Sequence, residues 1–211
     1  YLLSQGKNGK TDVSALNSVL RATYNYDPLK LILEGGFASG QKNDSLNPLD
    51  LGDRSSKITS ISFNPDYNVG LILFEEVLMR KTAFAAGSVA DPQERVLIPT
   101  NGAVRDAWYI APLFRFDLTD AFGTKLGILY ARALDLLTDP NSRPNYNRNY
   151  DGGTPSKELG WEIDWGLHLA LADNFDFGVQ LGYFIPGKAF ANSEGKTVNV
   201  FETQTRMTVT F

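Results

Sequence analysis

Three groups of residues in this 211-residue chain have the types and spacing to do chemistry. His168 is the only histidine, and histidine is the usual general base of a Ser–His hydrolytic site, which also needs a nucleophile within hydrogen-bond reach. Glu162 and Asp164 stand two apart, which makes them candidates for a glycosidase carboxylate pair. On a strand that spacing puts both on one face about 6.6–6.8 Å apart, but any acidic strand does the same. The Asp- and Asn-rich stretch Asp139 to Asp151 offers oxygen ligands for calcium, yet follows no loop consensus. With no cysteine in the chain, disulfides, thiolate metal sites and cysteine nucleophiles are excluded. The sequence therefore assigns no catalytic residue, no metal and no cofactor, and the expectation is a protein that is not an enzyme.

The segments that carry these residues have a period of two. Trp161, Ile163, Trp165, Leu167, Leu169 and Leu171 alternate with Glu162, Asp164, Gly166, His168, Ala170 and Ala172. After Asp173-Asn174 the alternation resumes, with Phe175, Phe177, Val179, Leu181, Tyr183 and Ile185 on the apolar side. Strands wetted on one face only have this pattern. Membrane strands need about 9–11 residues to cross the hydrocarbon, whereas strands of globular proteins run about 5–6, and these runs fit the membrane figure. Trp161 and Trp165 near one end, with Phe175 and Phe177 near the other, suit aromatic girdles at two interfaces.

The last residues, Phe201 to Phe211, also alternate. Phe201, Thr203, Thr205, Met207 and Val209 share one face and Glu202, Gln204, Arg206, Thr208 and Thr210 the other. Ending on such a strand with Phe211 resembles the closing strand of a bacterial outer-membrane β-barrel, in which the terminal aromatic strand is the signal read by the barrel-assembly machinery. Composition agrees. Apolar runs such as Leu71-Ile72-Leu73-Phe74 fall far short of the roughly 18 residues of a membrane-spanning helix. A slightly negative mean hydropathy suits strands with one wet face. The net charge of −4, from 20 basic and 24 acidic residues, leaves no basic patch for nucleic acid.

Strands are expected at about 13–26, 29–40, 104–118, 124–134, 159–172, 175–186 and 197–211. Short turns at Asp27-Pro28, Thr119 to Gly123 and Asp173-Asn174 alternate with longer connections at 41–103, 135–158 and 187–196. Outer-membrane barrels place short turns in the periplasm and long loops outside, so the C-terminus is expected in the periplasm. Tyr1-Leu2-Leu3 then tops an ascending strand with Lys7-Asn8-Gly9-Lys10 as its loop. Seven strands and a stump do not close a barrel having both ends in the periplasm. The fold expected for residues 1–211 is all-β: the C-terminal seven to eight strands of a larger transmembrane antiparallel β-barrel, with a long, partly helical extracellular loop. An N-terminal barrel fragment or a second chain would complete it. A complete eight-stranded barrel is the other count.

Leu159-Gly160-Trp161-Glu162-Ile163-Asp164, with the alternating strand, the Asp173-Asn174 turn and Tyr183-Phe184-Ile185-Pro186-Gly187-Lys188-Ala189-Phe190, resembles the C-terminal hairpin of the alginate-export family of outer-membrane channels. The likeness covers about 50 residues. It implies an 18-stranded, porin-like barrel that passes an anionic polysaccharide through an arginine-rich lumen. This chain departs from that pattern, because its inward positions mix signs.

Face assignment rests on cost, since Lys or Arg on the lipid face near the midplane costs roughly 2–4 kcal/mol. The inward set is Arg21, Lys30, Glu34, Arg115, Asp117, Lys125, Glu162, Asp164, His168, Gln180, Glu202, Gln204 and Arg206. It forms either a mutually neutralised, solvated wall or a ladder that selects charged solutes. His168 falls on this face with no serine on its strand, whereas outer-membrane phospholipases work at the lipid face. Residues 41–103 are too long for an idle loop. Within them 68–81 is predicted as a short helix with Leu71, Phe74, Val77 and Leu78 on one stripe. That stripe narrows the pore, meets a partner outside the cell, or covers its own loop. Residues 135–158, rich in proline, asparagine and glycine, are predicted as an irregular surface loop.

These features lead to an expected function: a bacterial outer-membrane channel, embedded among lipid and lipopolysaccharide, for passive diffusion of small polar or charged solutes, saccharides included. The alternatives are a barrel that sheathes or anchors a partner such as an electron carrier or surface appendage, and an outer-membrane hydrolase.

Overall fold

The computed structural model of the chain describes residues 2–8, 11–40, 57–82, 100–134, 151–172 and 174–210. The acidic stretch from Asp139 to Tyr150, most of the 135–158 loop, the outer parts of 41–103 and Phe211 lie outside the described residues.

The strands are β1 (Leu2–Asn8), β2 (Thr11–Tyr26), β3 (Leu29–Ala38), β4 (Lys57–Ile58), β5 (Ala107–Thr119), β6 (Phe122–Ala133), β7 (Glu158–Ala172), β8 (Phe175–Pro186) and β9 (Val200–Val209). They form one sheet in the order β1-β2-β3-β5-β6-β7-β8-β9, each antiparallel to its neighbours. The short β4 pairs parallel with the start of β2, past the point where β3 leaves it. The fold is thus all-β and antiparallel, as the period-two pattern required. The sheet is not closed: β1 and β9 are its edges, and no ladder joins them among the described residues.

Three hairpins close on two-residue turns, with Tyr26 opposite Leu29, Thr119 opposite Phe122 and Ala172 opposite Phe175. All three lie at the end of the sheet where β9 finishes, and the longer connections gather at the other. Two expectations need correcting. β1 runs through Asn8, which pairs with Thr11, so the strand continues past Lys7, where the loop was expected to begin. The last strand starts at Val200, because Lys188–Phe190 forms a 3-10 turn and 192–196 close on the Asn192 side chain.

Register puts the two sets of side chains on opposite faces. One face carries Leu20, Leu33, Ile110, Leu126, Trp161, Ile163, Trp165, Tyr183, Phe201 and Met207, large apolar groups that are all exposed, with Leu20 at 78% and Met207 at 70%. Trp108, Tyr130 and Trp161 stack along one end of it, with ring centroids 5.5 and 4.5 Å apart.

Against the other face lies the apolar core. Phe63, Val69, Ile72, Leu73, Phe74 and Leu78 pack onto Tyr109, Leu129, Ala131, Leu159 and Phe184. The connection between β3 and β5 therefore folds back over the sheet. Leu73–Leu78 form a π-helical turn that continues as α-helix through 82. This is shorter than the 68–81 predicted. Of the predicted stripe, Phe74 and Leu78 are buried and Leu71 and Val77 only partly so. Ile72 and Leu73, missed by the stripe, are fully buried. Each such side chain contributes about 1.5–3 kcal/mol on burial, so the segment is fastened by hydrophobic area before any polar contact is counted.

Candidate functional site: the charged face and its inserted helix

Each row across the polar face follows from the ladders. Arg21 lies opposite Glu34, and Glu162 opposite Phe184 on the same level. One level along, Asp164, Gly182 and Glu202 align. The next row runs Lys30, Arg115, Lys125, Gly166, Gln180 and Gln204. The last runs Asp117, Gly123, His168, Gly178 and Arg206. The thirteen inward residues named from sequence thus share one face of the sheet.

Their partners divide that face into two zones. Near the inserted helix, Arg21 Nε donates to Glu34 Oε2 at 2.7 Å, the Tyr109 hydroxyl donates to Glu34 Oε1 at 2.7 Å, and Arg21 also reaches the Tyr67 hydroxyl at 3.2 Å. Glu34 is buried and fully engaged by these groups. Burial, followed by the neighbouring Glu34 carboxylate, pushes the Tyr67 phenol up from its ordinary value, so it stays a neutral donor or acceptor.

In the second zone, Lys30, Arg115 and Lys125 stand directly opposite one another on three adjacent strands, an arrangement that repels unless it is screened or paired. Arg115 Nε donates to Asp117 Oδ1 at 2.8 Å, and Lys125 Nζ donates to Gln180 Oε1 at 3.0 Å. His168 Nε2 stands 3.1 Å from Asp176 Oδ1, and Gln204 Nε2 donates to Glu202 Oε1 at 2.8 Å. A concavity of about 730 Å³ opens here, lined by Arg115, Lys125, His168, Gln180, Gln204 and Arg206 among others. A second, of about 530 Å³, adjoins the helix, with Glu75 and Glu76 of the helix on one side and Arg21, Glu34, Lys125, Asp164 and Arg206 of the sheet on the other.

One residue does something the sequence did not reveal. Glu162 is 0% exposed, and the inserted helix seals it. Its Oε1 accepts the N–H groups of Leu71 and Ile72, the latter at 2.8 Å, and its Oε2 accepts Leu73 N–H at 2.7 Å. These are donors that a helix leaves without partners at its start, and the helix dipole favours a carboxylate there. Glu162 therefore lines no open space and is withdrawn from the solute-facing set.

No protein-family model matches the chain. Function has to be argued from this face, its charges and its helix. The apolar residues Val19, Tyr109, Leu129 and Phe184 at wet-face positions, crowded at one end, were the signal that marked the helix seat.

Proposed function

We propose that this chain forms part of an outer-membrane β-barrel that acts as a porin-like channel, letting small polar or charged solutes diffuse along the charged face. The observation that carries this is the sidedness of the sheet. Exposed Leu20, Leu126, Ile163, Trp165 and Met207 occupy one face, and the other bears the charged rows with an inserted helix. Such an apolar area standing in water is not tolerated by a soluble protein unless something covers it. Lipid is the cover that also accounts for the aromatic stack at one end and for strands of 10 to 16 residues. The likeness of the β7–β8 hairpin to alginate-export channels supports the same class of barrel.

In this proposal the turns after β2, β5 and β7 face the periplasm, and the β1–β2 connection and the longer connections face the outside. The unpaired edges of β1 and β9 expose backbone donors and acceptors that hydrocarbon does not satisfy. In this proposal both edges are therefore covered in the membrane, by further strands or by each other. Solute choice is set by the Lys30–Arg115–Lys125 row and by the gap between Glu75–Glu76 and the mixed charges of the sheet.

The test is a planar-bilayer recording of the protein with its complete set of strands. An ion-selective current is expected, with its reversal potential moved toward cation preference by Lys125→Glu. A folded, inserted protein that passes no current would favour the barrel as a sheath or anchor.

A further inference from the structure

The segment from Gly70 to Leu78 sits in a seat shaped to receive it. Gly70 has φ +76°, and a Cβ there would stand 2.7 Å from Glu162 Oε1 and 2.8 Å from Leu129 Cδ2, so the chain crosses the carboxylate only as glycine. On β8, a Cβ at Gly182 would meet Ile72 Cδ1 at 2.8 Å, so the sheet is cut away where Ile72 enters. The first turn is π-helical because Ile72 O accepts both Glu76 N–H at 3.0 Å and Val77 N–H at 2.9 Å. Turns of this kind collect at functional positions. At the far end Thr82 Oγ1 donates to Leu78 O at 2.6 Å and accepts Thr100 N–H at 3.1 Å, which closes the segment on itself rather than on the sheet. Among the described residues, Glu162 accepts three backbone hydrogen bonds from this segment, and the Leu71 N–H also lies against the Asp164 carboxylate of the same strand. An ion pair between Lys81 and Asp151 joins the helix to the neighbouring loop.

The attachment carries an opposing force. Docking buries Glu75, whose Oε1 has no hydrogen-bond partner among the described residues, beside its helix neighbour Glu76 and then Glu162. Burying a carboxylate oxygen without a partner is costly, and like charges add to the cost, so release of the helix relieves a burden that docking creates.

We infer that Glu162 is the latch of a gate: the 70–82 segment is a plug, seated on the polar face by its buried apolar side chains and locked in place by one carboxylate on three backbone N–H groups, and its release widens the path. This deepens the channel proposal and rests on it. Glu162 acts through the plug and so is a positioning residue.

The experiment is single-channel recording of the complete protein beside three variants. Glu162→Gln loses the charge and turns a donor toward the backbone N–H groups. Gly182→Val evicts Ile72 while leaving the carboxylate in place. Ile72→Cys with Gly182→Cys allows a short bifunctional thiol crosslinker to tie the plug down. The unaltered channel is expected to rest at a low level with brief excursions to a higher one. Glu162→Gln and Gly182→Val should each lengthen the higher level at least tenfold, and the crosslink should abolish it until it is reversed. A channel that conducts with the same levels and dwell times in all four forms overturns the latch while leaving the channel standing. Absence of current from every form overturns the channel and the gate together. If Glu162→Gln fails to insert, Gly182→Val and the crosslink still decide, and an open level that persists under the crosslink refutes the gate.

Discussion

Glu162 Oε2 accepts the backbone N–H of Leu73 at 2.7 Å, across 89 residues of sequence. A fully buried carboxylate at the mouth of a helix both charges and satisfies that helix end. Here it joins β7 to a connection that also packs Ile72, Leu73, Phe74 and Leu78 against the sheet.

Removing that carboxylate should loosen the helix before it loosens the sheet. Each buried donor left without a partner costs about 1–3 kcal/mol. In Glu162→Ala the amides of Leu71, Ile72 and Leu73 should therefore exchange with deuterium about 10- to 100-fold faster, with β7 and β8 amides little changed. Hydrogen-exchange mass spectrometry resolves the two regions. Equal acceleration throughout would mean that Glu162 supports the whole sheet.

Docking of the helix should weaken as pH rises. Burial first, and then the Glu76 and Glu162 charges, hold the Glu75 carboxyl above its usual range. A carboxyl that keeps its proton longer in the folded state contributes fully below its unfolded value, and that contribution is lost as pH climbs through the raised one. Helix amides should therefore exchange faster above that range than below it, after correction for intrinsic rates. Glu75→Gln should flatten the difference. An unaltered slope in that variant would assign the effect to another group.

The two faces should respond oppositely to the same substitution. Leu126 is exposed on the apolar face, so Leu126→Arg should cost roughly 2–4 kcal/mol if that face meets hydrocarbon. Gln180→Arg, on the polar face beside Lys125, should cost far less. The folded fraction after refolding into vesicles at graded urea measures both. Equal cost would remove the distinction between the faces.

Tyr109→Phe deletes the donor to Glu34 Oε1 but leaves Arg21 on Oε2. The loss should be about 1–3 kcal/mol, because a buried carboxylate oxygen loses a partner. Thermal melting of the variant beside Arg21→Met checks it. The double variant should lose less than the sum of the two, since both serve one carboxylate.

Strand direction, the period of two and the facing of the thirteen inward residues were legible in the sequence. Charges such as Arg115 and Lys125, well inside their strands, reveal parity because a misplaced one is expensive, whereas Arg132, near the end of β6, shares the apolar face with Trp108. The short turns were legible for the same local reason. The seat of the helix was not read, although Tyr109, Leu129 and Phe184 announced it by being apolar where their strands should have been wet. Glu162 looked like one more lumen charge, because its partners are backbone groups about 90 residues away and carry no side-chain signal. The helix start was misjudged for a related reason. Its first turn is set by that carboxylate and by the notch at Gly182, not by any local cap.

The central claim is that one face of the sheet meets lipid and the other water. The chain has no cysteine, so single cysteines can be placed along β7 at Ile163, Asp164, Trp165, Gly166, Leu167 and His168. The protein, reconstituted with all of its strands, would then be labelled with a fluorophore in vesicles containing brominated lipid. Quenching should alternate, strong at positions 163, 165 and 167 and weak at 164, 166 and 168, with a membrane-impermeant thiol reagent reacting in the opposite phase. Water accessibility at all six, or quenching without alternation, would contradict the account.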